Sequence, residues 1–438
     1  MMKNKKIGVI SLGCDKNRVD TEKMLAILQL NYTLTNDILD ADVVVINTCA
    51  FLKSARQEAI DEILSTVQLK QEGKIEKIIV TGCLPQRFIG EIFDELIEVD
   101  AFLGVSDFAV LPKVITEIYQ GKRVNAVGEP RGECTTERKL TTLNYAYLKI
   151  ADGCSNHCTY CLIPSIRGKY RSVPKEQLLI EAKKLGEVKE LILVAQDVTR
   201  YGLDLEEQTT LPQLIRALST LQNIQGIRLL YCYPEGITDE LIHEMVSNPK
   251  MIRYIDIPFQ HADDRILKLM NRKGSASEYL QLISKLKERV KGIAIRSTFI
   301  TGFPTEDEQA FDRLLEFIGK AKLSNAGFFR YSREEGTPAF KLDGQIKESV
   351  KTKRLKKLYS AQKKVVKENA KSLIGKTFKV LAEGFDENAF VYYGRAYFNA
   401  PDVDGKIYFF SGEEVNFGET LDVKIVKATD YDLYGERV

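Results

Sequence analysis

The sequence predicts an α/β protein in three parts: an N-terminal doubly wound parallel sheet, a central partial (βα)6 barrel and a small C-terminal antiparallel β-barrel. Three observations predict it. Over residues 1–120, short β-branched runs alternate with amphipathic stretches, the pattern of a parallel sheet covered by helices on both faces. From residue 147, six strand candidates begin 27 to 43 residues apart, the length of a βα repeat. From residue 373 the pattern becomes short alternating strands broken by Gly, Asn and Asp, which suits a small closed barrel. A length of 438 residues agrees with about three domains, with boundaries at 1–120, 140–370 and 373–438.

In the first part Lys6–Leu12, Asp42–Asn47 and Lys77–Thr81 read as buried strands, and Asp20–Leu30 and Ala55–Leu69 as helices. Gly121–Asn144 is polar, carries Gly-Glu-Pro-Arg-Gly and reads as a linker. The barrel strands are expected at Tyr147–Ala151, Glu190–Ala195, Gly226–Tyr231, Arg253–Phe259, Gly292–Ile300 and Ala326–Tyr331. Gln345–Ser372 is an unbroken helical pattern with ten Lys and Arg against two Glu. It reads as a solvated linker helix, ahead of a nucleic-acid or partner face. Thr377–Ala382, Ala389–Phe398, Lys406–Phe410 and Thr420–Lys427 read as the strands of the last barrel.

Composition narrows the class. With 44% hydrophobic and 28% charged residues, wholesale disorder and a small disulfide scaffold are excluded. Basic and acidic residues number 63 and 61, so no global nucleic-acid charge signature is present. No apolar run is long enough to span a bilayer, and the opening MMKNKKIGVISLG lacks a secretory apolar stretch. A cytoplasmic protein without a membrane partner is the expectation.

The eight cysteines stand at 14, 49, 83, 134, 154, 158, 161 and 232. In a reducing compartment they suggest ligation rather than disulfides. Cys14, Cys49 and Cys83 each fall just past the carboxyl end of a predicted strand, where open α/β sheets bind ligands. Taken singly, a strand-end cysteine is more often a small buried hydrophobe. Cys154-Ser-Asn-His-Cys158-Thr-Tyr-Cys161 is a C-x3-C-x2-C run directly after the first barrel strand. A structural zinc site wants four protein ligands, whereas an iron–sulfur cube on three thiolates leaves one iron open to chelate a substrate.

This spacing on this loop resembles the radical S-adenosylmethionine enzymes. The chain is more narrowly similar to the methylthiotransferases, through SLGCDKN (11–17), INTCAF (46–51), VTGCLPQR (80–87), DGCSNHCTYCLIPSIRG (152–168) and FFRYSREEGTPA (328–339). The resemblance implies a central radical core and a C-terminal TRAM barrel. It implies two four-iron clusters, one on Cys154, Cys158 and Cys161 as the catalytic centre and one on Cys14, Cys49 and Cys83 that carries sulfur. It implies S-adenosylmethionine as both radical source and methyl donor, and a reductant such as flavodoxin or ferredoxin. By position Tyr160, Gln196, Asp197, Gln260, Arg296 and Gly302 are candidate S-adenosylmethionine contacts, with Arg296 facing its carboxylate. Polar strand ends and a core aromatic at Tyr160 are the plainer alternatives. Cys134 and Cys232 read as structural, and His157 and His261 as polar loop histidines.

SLGCDKNRVDTE (11–22), DIPFQHAD (256–263) and YSREEGTPA (331–339) resemble the branch that modifies an aspartate of ribosomal protein S-twelve. The alternative is the tRNA branch, for which a His-Leu-Pro-Val-Gln-Ser-Gly type of stretch is expected where this chain has Asp-Ile-Pro-Phe-Gln-His-Ala. A two-cluster electron carrier with an RNA-docking tail is the alternative from another class, although a carrier needs no substrate-sized barrel mouth. Residues 373–438 hold seven basic and twelve acidic side chains. That net charge suits a basic ribosomal protein rather than tRNA phosphates.

Overall fold

The computed structural model describes residues 5–132 and 135–438; Cys134 lies outside the described residues. Six parallel strands form the N-terminal sheet. They are β1 (Lys6–Ser11), β2 (Thr33–Thr35), β3 (Val43–Thr48), β4 (Lys77–Gly82), β5 (Ala101–Leu103) and β6 (Val124–Ala126), in the order β2-β1-β3-β4-β5-β6. Every residue of β3, Val-Val-Val-Ile-Asn-Thr, is buried, as expected for a strand covered on both faces. Helices α1 (Asp15–Leu28) and α4 (Leu111–Tyr119) pack Met24, Leu28 and Ile115 on Val43 and Val45. Helices α2 (Lys53–Gln71) and α3 (Cys83–Glu95) pack Ile63 and Ile92 on Val44, Ile46 and Val80 from the other side. The sheet is therefore doubly wound, as expected.

The linker reading of Gly121–Asn144 is corrected at both ends. β6 is the sheet's last strand, at three residues too short for alternation to reveal. Further on, buried Arg138 joins Glu22 of α1 to Glu181, so the segment straps two domains together.

All six expected barrel strands are present. They are β7 (Tyr145–Lys149), β10 (Glu190–Val194), β11 (Ile227–Leu229), β12 (Met251–Asp256), β13 (Ala294–Thr301) and β14 (Asn325–Arg330), parallel in the order β14-β13-β12-β11-β10-β7. A two-stranded clip, β8 (Ala151–Asp152) with β9 (Arg171–Ser172), brackets the cysteine loop and the short helix α5 (Ile163–Arg167). Helices α6 (Lys175–Lys184), α7 (Leu211–Ser219), α8 (Asp239–Ser247), α9 (Asp264–Leu269), α10 (Ala276–Arg289) and α11 (Glu308–Ala321) complete the repeats. Outward strand residues such as Leu191, Leu229 and Ile295 bury against these helices. Tyr147, Val194, Leu230 and Tyr254 form a second cluster, which Val19 of α1 and Ala400 of the C-terminal domain complete.

Helix α12 (Glu348–Lys371) is docked, not solvated. Leu358, Val366 and Ala370 are buried, and so are Lys351 and Arg354. Lys351 Nζ donates to Tyr331 O at 2.9 Å, and Arg354 Nη1 pairs with buried Glu306 at 2.7 Å. Counting charges hid this, because two of the cations anchor the helix while the rest remain solvated. The C-terminal strands are β15 (Thr377–Asp386), β16 (Val391–Arg395), β17 (Ile407–Phe410), β18 (Thr420–Ala428) and β19 (Leu433–Arg437). They form the expected closed barrel, antiparallel except for the β17–β19 pair, which is parallel. The sequence reading lacked β19, and it took residues 389–398 as one strand where pairing stops at Arg395. Beyond it the chain leaves the barrel to meet the core: Arg228 donates to Tyr397 O at 3.0 Å and Tyr254 to Asp404 at 2.7 Å.

Breaking a buried ion pair from one side strands a charge. Arg354→Met is expected to lower the unfolding free energy by about 3 kcal/mol, read by denaturant titration; a loss below about 1 kcal/mol, the worth of a surface pair, would contradict the anchoring role.

Candidate active site

Strand ends deliver the first three thiols. β1 ends at Ser11, and Gly13, at φ +93°, turns the chain so that Cys14 caps α1. A side chain at Gly13 would meet Cys49 Cβ at 2.7 Å, so the two loops touch. β4 ends in Gly82 at φ +97°, and Cys83 opens α3. Cys14 and Cys83 thus sit at helix N-termini. Asn17 Nδ2 donates to Leu12 O and Thr48 O, both at 3.0 Å, and ties these loops together. Cys83 is pushed up to about 12 by burial, opposed by Arg167 and reinforced by Cys49 and Cys14. Burial also raises Cys49, again with Cys14 beside it. The three sulfurs share one neighbourhood although 35 and 34 residues separate them.

The second set lies on the loop after β7. Gly153, at φ +75°, packs against the Lys169 carbonyl, leaving no room for a side chain. Cys154 N donates to Gly168 O at 3.1 Å, Cys161 N to Cys158 O at 3.1 Å, and Ile163 N to Cys161 Sγ at 3.4 Å. Burial raises Cys154 to about 11 and Cys161 to about 12, with the other thiols of the loop adding to it. Both triads therefore need nearby positive charge to hold thiolates.

A buried arginine stands at each triad. Arg167, on α5, has Nη2 3.9 Å from Cys83 Sγ and 2.6 Å from Asn17 Oδ1; Nη1 lies 2.9 Å from Asp152. Its pairing with Asp20 and Asp152 places it between the two cysteine loops. Arg272 has Nη1 3.9 Å from Cys158 Sγ, and Tyr233 OH lies 3.6 Å from the same sulfur. These two arginines and Tyr233 were not singled out in the sequence. Arg167 lies within the 152–168 motif, so its position was signalled but not its reach. Arg272 and Tyr233 carry no local signal.

The candidate contacts divide. Gln196 Nε2 donates to Asp152 at 3.2 Å while its buried Oε1 lacks a partner. Gln260, at φ +72°, bridges β13 through its backbone. Tyr160 packs beside Ile266, Phe303 and Tyr331. Asp197 is engaged by Asn156 and Thr199. Arg296 pairs with Asp256 at 3.0 Å and with Asp404 at 3.5 Å, so its guanidinium fastens the C-terminal domain. Gly302, at φ +76°, gives room to the Lys351 stem. His157 is an exposed loop residue. His261 is fully buried between Asp263 N and Glu306, which corrects its reading as a polar loop histidine. Cys232 is a core residue.

Among the described residues no group of three or more His, Cys, Asp or Glu side chains is arranged to hold a single metal ion. Two all-sulfur triads, each with a guanidinium against a sulfur, suit iron–sulfur clusters, whose potentials depend on charge and hydrogen bonds at sulfur. Arg272 is the sharper indication: it is 6% exposed, and its Nη1 lies 3.9 Å from Cys158 Sγ without an ion pair to a carboxylate among the described residues.

Comparison with known proteins agrees with this geometry. Residues 148–318 match the Radical SAM superfamily, 6–104 match the uncharacterized protein family UPF0004, and 374–438 match the TRAM domain. In fold the chain is similar to TsrM, a radical S-adenosylmethionine methyltransferase from Kitasatospora setae, with a TM-score of 0.56 at 13% identity over 77% of each chain. It is also similar to the radical enzyme OxsB, with a TM-score of 0.51 at 14% identity over 84% of this chain and 56% of that one. Fold and site define a radical S-adenosylmethionine protein. The chain is 46% identical to ribosomal protein uS12 methylthiotransferase RimO of Acetivibrio thermocellus, over 99% of its own length and 98% of that protein's. It is 47% identical to RimO of Clostridium kluyveri, over 98% and 97%. It belongs to the uS12 methylthiotransferase family.

Burial disfavours charge on Asp152, but Arg167 and then Lys149 outweigh it and hold the carboxyl well below the usual range. A depressed carboxylate contributes stability above its unfolded pKa of about 3.9, lost as pH falls through the folded value. In the iron-free chain Arg167→Gln is therefore expected to move acid unfolding to higher pH, followed by circular dichroism; an unmoved midpoint would contradict the pairing.

Proposed function

We propose that this protein inserts a methylthio group at the β-carbon of an aspartate of ribosomal protein S-twelve. The observation that carries the reading is the placement of two cysteine triads on either side of α5, bridged by Arg167, in a chain that matches its relatives over almost its whole length. Cys154, Cys158 and Cys161 would hold one four-iron cluster with an iron open to S-adenosylmethionine; Cys14, Cys49 and Cys83 would hold a second. When bound, these groups supply an adenosyl radical, a methyl group and sulfur.

The chain's own residues hold and enclose. Tyr231 and Tyr233 leave the end of β11 toward different triads: Tyr231 donates to Asp15, next to Cys14, and Tyr233 meets Cys158. Lys16 lies 3.6 Å from the centre of the Tyr231 ring, within the wall between them. Glu334 accepts from Lys53 N at 2.8 Å and pairs with Arg87 at 3.3 Å, clamping the 328–339 segment on the loops that bear Cys49 and Cys83.

The acidic C-terminal barrel would dock the basic substrate, while a small reductant of the flavodoxin or ferredoxin type would supply electrons. No helix of the described residues is long and apolar enough to cross a membrane; a cytoplasmic setting fits a ribosomal substrate.

Mass spectrometry of ribosomal proteins and tRNA nucleosides from cells lacking the gene tests the substrate. Loss of the increment that replaces H by SCH3 on S-twelve alone is expected; loss confined to tRNA would overturn the reading. Changing Cys14, Cys49 and Cys83 together to Ala should halve the iron bound and leave 5′-deoxyadenosine formation with dithionite, whereas Cys158→Ala should abolish it. Full iron in the triple variant would contradict the ligand assignment. Charge reversal at exposed Glu413 and Glu414 to Lys should weaken S-twelve binding several-fold at low salt, measured by titration calorimetry; unchanged affinity would remove the docking role.

A further inference from the structure

Arg272 differs from Arg167 in what balances it. It follows α9 and is 6% exposed. Nη2 donates to Pro258 O at 2.7 Å, and the guanidinium lies 4.0 Å from the centre of the Tyr233 ring. Nη1 points at Cys158 Sγ from 3.9 Å, and Nε is unpartnered. Its contacts are Pro258 O, the Tyr233 ring and Cys158 Sγ, and among the described residues it makes no ion pair with a carboxylate. Arg167, by contrast, already has Asp20 and Asp152. A buried cation without an anion is costly. The groups in reach that become anionic are the thiolates of the C-x3-C-x2-C loop and whatever they bind.

We propose that Arg272 is a positioning residue that balances the charge of the cluster held by Cys154, Cys158 and Cys161 and thereby raises its reduction potential. The proposal rests on the cluster assignment given above. One-electron reduction makes the cluster one unit more negative, and in a water-poor site a fixed cation beside a ligand sulfur favours that state. Tyr233 holds the guanidinium by its ring face and meets the same sulfur with its hydroxyl. The orientation is therefore set before the cluster binds.

The test uses the full chain with Cys14, Cys49 and Cys83 changed to Ala, so that one triad remains. Arg272→Gln and Arg272→Lys are compared in that background by iron content, thermal melting and an EPR-monitored reductive titration. The expected result is a more negative midpoint for Arg272→Gln, with Arg272→Lys close to the parent. Iron lost from Arg272→Gln but kept by Arg272→Lys, at unchanged melting, would equally support charge balance. An unmoved midpoint in iron-replete Arg272→Gln would overturn the proposal. So would equal iron loss in both variants with melting preserved, or a change confined to S-adenosylmethionine affinity, which would place Arg272 on that molecule. A parent that binds no iron would instead refute the cluster assignment.

Discussion

Arg167 reaches from the helix after the C-x3-C-x2-C loop into the N-terminal domain, where it meets Asn17, Asp20 and the thiol of Cys83. Asp152, at the start of the loop, holds its other nitrogen. Three other segments, α1, the start of α3 and the start of the loop at Asp152, converge on one guanidinium that is 2% exposed. Removing it would leave the carboxylates of Asp20 and Asp152 buried, with Lys149 still paired to both. The cost of such a loss, about 3–5 kcal/mol, comes close to the whole stability of many domains. Its fork geometry matters too, since a lysine cannot serve Asn17, Asp20 and Asp152 at once.

Around that centre the open barrel is closed from two sides. Val19 of α1 and Ala400 of the C-terminal domain join the cluster of Tyr147, Ile192, Leu230 and Tyr254. Polar contacts fix the same docking: Arg395 with Glu190, Arg296 with Asp404, and Lys149 with Asp20. The N-terminal and C-terminal domains therefore complete the barrel's core. This explains why the helix that bears Cys14 at its start is set by packing within the central domain as well as by its own sheet.

The parts legible in the sequence were those with local periodicity or local spacing. β1, β3 and β4 were found because they are apolar runs, and the cysteines at their ends followed from that. The six barrel strands appeared through their repeat length. β6 and β19 escaped notice because a three-residue strand, Val-Asn-Ala, or a strand containing Gly435 and two charges, carries little alternation. Among site residues, the cysteines were legible as motifs, while Arg272, Tyr233 and the docking of Arg296 to Asp404 depend on contacts between residues 75 to 114 apart. Arg296 and Gly302 had the right strand end but their neighbours are Asp404 and Lys351, which no strand-end argument contains. The charge of Gln345–Ser372 misled for a related reason: burial selected Lys351 and Arg354 individually.

Both cysteine triads are proposed to bind clusters, with α5 and Arg167 between them. EPR of the doubly reduced protein tests it directly, compared with the two variants that keep one triad each. The account predicts a spectrum altered by magnetic interaction between neighbouring clusters, which the sum of the single-triad spectra does not reproduce. A spectrum equal to that sum would place the clusters too far apart to share a substrate and would contradict it.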